Sequence, residues 1–557
     1  MSLPQESIVN VGLRLSETAR RDPDGVAVVE PLPRKGRGKR RYRQVTFREL
    51  DEDTDRIAAG LRELGVRPGT RLVLLVPPSI DFVALVFALF KVGAVIVLID
   101  PGMGRTNLLE CLTECEPEGF VAVPQVHAVR TVMRRRFRKA RFNVTVGRRL
   151  FWGGSTLASL RQATTGSFRE ARTGANDPAA IIFTSGSTGP PKGVLYLHGN
   201  FDQQVNEIRD RYGIQPGEID LPGFPLFALF NAAMGVTTVF PDMDFAQPAQ
   251  ADPKNIIEAA TDWEVTQAFG SPALWNVVGR YCQEHDVRLP TLRRVLSAGA
   301  PVPPHVLERI KNSIHQEGDV YTPYGATEAL PVASISATEV LGETATRSSE
   351  GAGTCVGQRF PGIQWKVIRI TDDPIEHIGE IEELPNDEVG ELIVRGSVVT
   401  SRYVTCLEAN ALHKIQDDEG VWHRMGDVGY LDRDERFWFC GRKSQRVLHA
   451  RGPLFTIPIE SIINQHQYVY RSALVGYGTK GRQVAVVVVE TWPEFRPASR
   501  KQEEHLIAEL WDIVKSHKLT QEVRDILLHP SLPVDVRHNS KIFREQLADW
   551  VMKERAK

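Results

Sequence analysis

The segment Thr184-Ser185-Gly186-Ser187-Thr188-Gly189-Pro190-Pro191-Lys192-Gly193 gathers hydroxyls, glycines and one lysine directly after the apolar run AAIIF. At this density, backbone N–H and side-chain O–H groups can converge on phosphate oxygens, and Lys192 adds a compact positive charge. The spacing is not that of a Walker A loop, because no Gly-Lys-Ser/Thr follows the first glycine at the required distance. A flexible Ser/Gly linker has a similar composition. It accounts poorly for the strand-like run before the segment and for the Pro-Pro-Lys-Gly that closes it.

Five further constellations follow in order: Ser297-Ala298-Gly299-Ala300-Pro301, Tyr324-Gly325-Ala326-Thr327-Glu328, Met425-Gly426-Asp427, Gly441-Arg442 and Asn539-Ser540-Lys541-Ile542. Alone, Asp427 or Lys541 reads as a solvated charge. Together with the loop, these motifs resemble the superfamily of acyl- and aryl-CoA ligases, peptide-synthetase adenylation domains and luciferases, over nearly the whole chain. The resemblance implies ATP and Mg²⁺ as cofactors and assigns the residues their parts. Thr184, Ser185, Gly186, Ser187, Thr188, Gly189 and Lys192 hold phosphates, and Gly299, Ala300 and Pro301 frame adenine through their backbone. Tyr324 stacks on adenine beside Gly325 and Ala326, Thr327 contacts the α-phosphate, and Glu328 supports the metal. Asp427 binds the ribose hydroxyls, Arg442 enters the hinge near ribose or phosphate, and Lys541 is the adenylation lysine. Lys541, Glu328, Thr327 and Thr184 are the expected catalytic set.

The chemistry this implies is attack of a carboxylate oxygen on the α-phosphorus of ATP as pyrophosphate leaves. Both reactants are anionic, so positioning and charge neutralisation supply most of the catalysis. No nucleophilic side chain is required.

Finer features resemble one subgroup, the β-lactone synthetases of bacterial long-chain olefin biosynthesis: PPKGVLYLH at 190–198, GATEALPVASI at 325–335 and RHNSKIFRE at 537–545. That resemblance implies a 2-alkyl-3-hydroxyalkanoic acid substrate, whose β-hydroxyl displaces AMP to close the ring. The hinge, Arg442-Lys443-Ser444-Gln445-Arg446, lacks the Asp common there. The following HARGPLFTIPIE departs from the usual Gly-rich, lysine-containing run. Both departures count against ordinary CoA-thioester formation. An apolar acyl pocket is expected from Phe224, Phe227, Ser271, Pro272, Ala273, Ala329 and Leu330, with plain core packing as the alternative for each. A long-chain fatty acyl-CoA ligase and a non-catalytic adenylate-fold scaffold are the competing functions. By resemblance, a thiolase-like condensing enzyme, a ketone reductase and a lactone decarboxylase are the expected associates.

The elements that must carry these residues are legible in outline. Runs such as RLVLLVP, AVIVLIDPG and AAIIF alternate with helical stretches such as FRELDEDTDRIAAGLREL, which implies parallel sheets covered by helices. The fold class expected is α/β: a large N-terminal domain of helix-covered β-sheets, residues 1–440, plus a smaller mobile α+β C-terminal domain, residues 441–557. At 557 residues the chain exceeds what one core supports. The apolar stretch 82–99 reads as a buried helix leading into a buried strand, since Lys91 and Gly93 interrupt it.

A composition of 42% hydrophobic and 25% charged residues with net charge −1 gives no global pull toward nucleic acid. Six scattered cysteines suggest neither a disulfide framework nor zinc. The start MSLPQESIVN lacks a secretory signal pattern, and a cytoplasmic protein is expected. Two basic clusters stand out. Residues 34–43 read as a loop. Residues 129–142 read as an amphipathic helix with Val129, Met133, Phe137 and Ala140 on one face and arginines around it, suited to a membrane surface, to an acidic partner or to an ordinary surface helix. The acidic stretch 372–391 reads as a solvated loop and hairpin.

Overall fold

The structure is a computed structural model describing residues 8–34, 36, 38–100, 103–163, 168–184, 190–534 and 542–555. A seven-stranded sheet runs in the order Ser155–Thr156, Phe142–Thr145, Gly119–Ala122, Arg71–Leu75, Val95–Leu98, Pro178–Phe183, Gly193–Leu197. Every neighbouring pair is parallel except the last, which is antiparallel. Such parallel strands are covered on both faces and so need continuous apolar runs, which is why VIVL at 95–98 is buried throughout.

The apolar stretch divides as expected. Helix Ile80–Lys91 is buried at nearly every position and ends on Lys91, whose Nζ reaches Asp51 Oδ1 at 2.6 Å and Asp55 Oδ1 at 2.5 Å. A buried ammonium is tolerated here because two carboxylates meet it.

A second, fourteen-stranded sheet joins parallel strands Ile219–Pro222, Gln267–Gly270, Arg294–Ser297 and Asp319–Ala326 to a run of antiparallel strands ending at Ile363–Ile368. The third sheet, Val469–Tyr477, Val484–Thr491 and Val523–Leu528, is small. Helix Arg500–Ser516 packs Leu506 and Leu510 with Val487 and Val489, while helix Arg544–Arg555 packs Leu547 and Val551 with Val486 and Val488. The alternation of side chains along a strand explains why VAVVVV carries no polar face. The mixed α/β architecture matches the expectation.

Two expectations fail. No helix spans 129–142: the helix is Pro124–Val132, and Met133 closes it with φ −94° and ψ 23°. Phe137 still reaches the core, its ring 5.0 Å from that of Phe120, and Met133 and Ala140 pack nearby, but across turns. Two causes suffice. Arg134 and Arg138 would repel at i,i+4 in a helix, and the buried Phe137 draws the chain inward.

The acidic stretch is not wholly solvated either. Glu391 is fully buried and paired with Arg424 at 2.6 Å and Lys443 at 3.0 Å. The basic cluster 34–43 is in part absorbed by the protein's own carboxylates, since Arg40 is buried against Asp242 and Glu258.

Candidate active site

The three sheets meet at one cleft of about 2330 Å³, lined by residues of the strand ends, the hinge and the C-terminal segment. Where the phosphate loop is expected, strands Pro178–Phe183 and Gly193–Leu197 pair Phe183 with Gly193, forming a neck. Thr184 N donates to Lys192 O and Lys192 N donates to Thr184 Oγ1, both at 3.0 Å. Lys192 Nζ stands 5.8 Å from the centre of the Tyr403 ring, a cation–π distance. Ser185, Gly186, Ser187, Thr188 and Gly189 lie outside the described residues.

Thr327 and Glu328 form the turn between antiparallel strands Asp319–Ala326 and Ala329–Ser336, which pair Ala326 with Ala329. Gly325 is required there, since a Cβ would stand 2.7 Å from Ala329 O. The turn is fixed by residues far away in sequence. Tyr196 O–H donates to Thr327 O at 2.6 Å, and Tyr403 O–H donates to Glu328 Oε1 at 2.7 Å. Thr400 donates both N–H and O–H to Glu328 O at 2.9 Å. Beneath it, Lys414 Nζ donates to Thr400 O at 2.5 Å. Burial lowers the Lys414 pKa to about 7, with the Glu328 charge opposing. Burial likewise lowers the neighbouring His413 to about 4 and depresses His423 well below its usual value.

Asp427 and Arg442 are register partners on strands Gly420–Leu431 and Arg436–Arg442, and their side chains form an ion pair at 2.9 Å. Tyr324 O–H donates to Asp427 Oδ2. Burial raises the Asp427 pKa while Arg442 works to lower it. The expected ribose carboxylate thus has its hydroxyl-accepting oxygen already engaged by a hydroxyl, that of Tyr324. A ribose hydroxyl would be chemically equivalent. Gly299 (φ +98°), Ala300 and Pro301 line the cleft beside them.

On the apolar side the Phe227 and Phe269 rings stack with centroids 3.5 Å apart, and the Phe224 ring is tilted against both. Ser271 caps helix Pro272–His285, its Oγ accepting from Leu274 N at 3.3 Å. This N-cap places Pro272 and Ala273 at the cleft wall, and Leu330 adds to it. Ala329 does not line the cleft. It is fully buried in the core under the turn, because alternation along its strand turns it away from Leu330.

Lys541 lies outside the described residues, but Ile542, Phe543 and Arg544, directly after it, line the same cleft. Arg544 is held by Glu460 at 2.5 and 2.9 Å and by Gln445 of the hinge at 3.3 Å. The residues missed by sequence reasoning are Tyr196, Tyr403, Thr400 and Lys414. Only Tyr196 lay within a stretch that had drawn notice. Among the described residues no group of three metal-ligating side chains occurs. Glu328 presents a carboxylate at the cleft, which suits Mg²⁺, an ion commonly bound by one or two carboxylates and substrate phosphates.

Comparison with known proteins identifies the family. A family model described as AMP-binding enzyme matches residues 15–404. The olefin beta-lactone synthetase of Stenotrophomonas maltophilia (strain K279a) is 45% identical over 558 residues, covering 98% of each chain. The olefin beta-lactone synthetase of Xanthomonas campestris pv. campestris is 43% identical, covering 99% of this chain and 98% of its own. Among solved structures, the amide bond synthetase McbA from Marinactinospora thermotolerans superposes with a TM-score of 0.78 at 21% identity, over 98% of this chain and 100% of that one. The anthranilate CoA ligase AuaEII in complex with anthranoyl-AMP gives 0.78 at 19% identity, over 100% and 99%. These last two show the fold. The chain belongs to the AMP-binding enzymes and, within them, to the family of the olefin β-lactone synthetases.

Proposed function

We propose that this enzyme converts a 2-alkyl-3-hydroxyalkanoic acid and ATP to a β-lactone, AMP and pyrophosphate. The observation that carries the reading is 45% identity along essentially the whole length of an olefin beta-lactone synthetase. In the first step a carboxylate oxygen bonds the α-phosphorus, the bond to the bridging oxygen breaks, and pyrophosphate leaves. In the second, the β-hydroxyl oxygen bonds the acyl carbon and the acyl–phosphate bond breaks. AMP departs with the bonding pair and the hydroxyl proton passes to solvent. Ring strain opposes closure, so tethering alone is insufficient and the cleft must hold the hydroxyl over the carbonyl.

In this reading Thr184 and Lys192 anchor the phosphate loop 184–193, Thr327 meets the α-phosphate, and Asp427 with Arg442 receives the ribose. Mg²⁺ at Glu328, when bound, supplies charge neutralisation on the phosphates. Residues 1–440 form the adenylation domain. Residues 441–557 form a mobile lid that delivers Lys541. Phe224, Phe227, Ser271, Pro272, Ala273 and Leu330 line the acyl pocket.

The enzyme works in the cytoplasm beside the condensing, reducing and decarboxylating enzymes of the same olefin chemistry, and no helix among the described residues is long and apolar enough to cross a membrane. Peripheral contact with an anionic bilayer is part of the reading and has a specific basis. Trp152 stacks on His127, placing the loop with exposed Leu150 and Phe151 against the helix that exposes Val129 and Val132. Arg134, Arg135, Arg136, Arg138, Arg148 and Arg149 flank these segments in the chain and make no ion pair among the described residues. Exposed apolar residues flanked by arginines fit an anionic lipid surface.

The deciding experiment is mass spectrometry of the product from a synthetic 2-alkyl-3-hydroxy acid with ATP and Mg²⁺. Lactone and AMP without CoA are expected. Strict dependence on CoA would establish an acyl-CoA ligase instead, and no pyrophosphate release with any acid would leave a scaffold.

A further inference from the structure

Helix His198–Tyr212 turns Phe201, Gln204, Val205 and Ile208 inward. In this apolar row Gln204 is the exception. It is 1% exposed and lines the cleft together with Tyr196, Phe201, Ile208 and Leu330. Its Nε2 donates to Leu330 O at 2.8 Å, which fixes the amide, because the flipped form would set oxygen against oxygen. Gln204 Oε1 is therefore buried as an acceptor, and it has no hydrogen-bond partner among the described residues. A buried acceptor left unmatched costs about 1–3 kcal/mol, so this oxygen calls for a donor from a ligand.

The location narrows which donor. Leu330 lies two residues past Glu328, and Tyr196, which lines the cleft beside Gln204, holds Thr327 O. Gln204 thus belongs to the wall around the turn where the reacting carboxyl must sit. A carboxylate brings only acceptors and an alkyl chain brings neither donor nor acceptor. A hydroxyl two carbons from the carboxyl carbon is the one donor such an acyl group offers there. Ser297 Oγ is also buried and unpartnered, but it precedes the loop at Gly299 and belongs to the nucleotide side.

Resting on the β-lactone reading above, we infer that Gln204 Oε1 accepts the hydrogen bond of the substrate's β-hydroxyl, making Gln204 the positioning and specificity residue for ring closure. Holding the O–H toward Gln204 turns a lone pair of the same oxygen toward the acyl carbon. The amide takes no proton. As the new C–O bond forms and the acyl–phosphate bond breaks, AMP leaves with the bonding pair and the proton passes to solvent.

The test compares a 2-alkyl-3-hydroxy acid with the same acid lacking the hydroxyl, following pyrophosphate release and lactone yield. The wild type is expected to favour the hydroxy acid by about 10- to 100-fold in kcat/KM, since losing the donor strands the acceptor. In Gln204→Met the preference collapses to within about threefold, through loss on the hydroxy acid alone. Retained turnover of the deoxy acid shows that the variant is folded, and lactone formed per pyrophosphate released falls. Gln204→Asn, which keeps the amide but withdraws it by one methylene, gives an intermediate ratio and decides the matter should the Met variant not fold. A wild type indifferent to the hydroxyl, or a Met variant with the wild-type ratio, overturns the assignment of Gln204. A wild type that prefers the hydroxy acid yet forms no lactone overturns the β-lactone reading and leaves Gln204 as a hydroxyl selector.

Discussion

The turn at Thr327–Glu328 and the hinge at 442–446 face the same cleft and are held by different forces. The turn is held by hydroxyls: Tyr196, Tyr403 and Thr400 each donate to it, and Lys414 steadies Thr400 from below. The hinge is held by charges: Arg442 on Asp427, Lys443 on Glu391, Arg446 on Asp372, with Lys480 of the small third-sheet region also on Asp372. Short hydrogen bonds from buried donors have one good geometry and resist displacement. The pairs on Asp427 and Glu391 have buried carboxylates and are strong, whereas those on the half-exposed Asp372 are weak, screened by salt and indifferent to exact angles. The cleft thus pairs a rigid turn with a hinge whose outer edge is able to exchange its contacts. The proposed lid motion would require such an edge.

The largest effect is expected where the charged wall runs inside. Glu391→Ala leaves the Arg424 guanidinium and the Lys443 ammonium without their buried carboxylate. It should cost about 3–5 kcal/mol, read as a lower denaturation midpoint. A loss below 1 kcal/mol would place Glu391 with the exchangeable contacts.

Next comes the pH response of the rigid wall. Lys414, with a pKa near 7 when folded and the ordinary higher value when unfolded, binds fewer protons in the folded state between those values. Stability therefore rises with pH from about 7 upward, at a slope of up to about 1.4 kcal/mol per pH unit. Lys414→Met should remove that slope in thermal melts from pH 6.5 to 9. A smaller kinetic effect is expected from Tyr403→Phe, which deletes only the hydroxyl on Glu328. Pyrophosphate release should slow about tenfold with little change in melting temperature.

The same contrast marks how much the sequence disclosed. Thr184 and Lys192 at the ends of the loop, the turn, Asp427 and Arg442 line one cleft, and each was picked out through a short local motif that resembles the family's pattern. The residues that make the turn rigid were not, since Tyr196 lies 131 positions from Thr327 and Tyr403 lies 75 from Glu328. Nothing in VLYLH or SRYVT marks such a partner. Periodicity was right for Ile80–Lys91, where burial is uniform, and wrong for 129–142, where repelling arginines and the inward pull of Phe137 broke the helix. Ala329 was misassigned by adjacency to Leu330, because strand alternation sends neighbours to opposite sides. Glu391 was misread because its two cationic partners, Arg424 and Lys443, come from later strands and from the hinge.

The weakest contact on the charged wall gives the finest test of the contrast. Asp372 meets Arg446 at 2.8 Å and Lys480 at 3.3 Å with its side chain 47% exposed. Its pKa is lowered first by the hydrogen bond from Arg446 and, against some desolvation, by both cations. The pair's contribution is therefore complete above the ordinary value of 3.8 and is lost as pH falls through the lowered one. At neutral pH an exposed pair of this kind contributes about 0.2–1 kcal/mol. Asp372→Asn should then shift the balance between the proposed lid orientations by no more than about fivefold. Steady-state turnover should differ from wild type by less than that at low salt, and the difference should vanish near 0.5 M salt, where the screening length is a few ångströms. If turnover instead fell a hundredfold and stayed salt-independent, the hinge would be as rigidly held as the turn. The cleft would then have no exchangeable edge about which the small C-terminal part could turn.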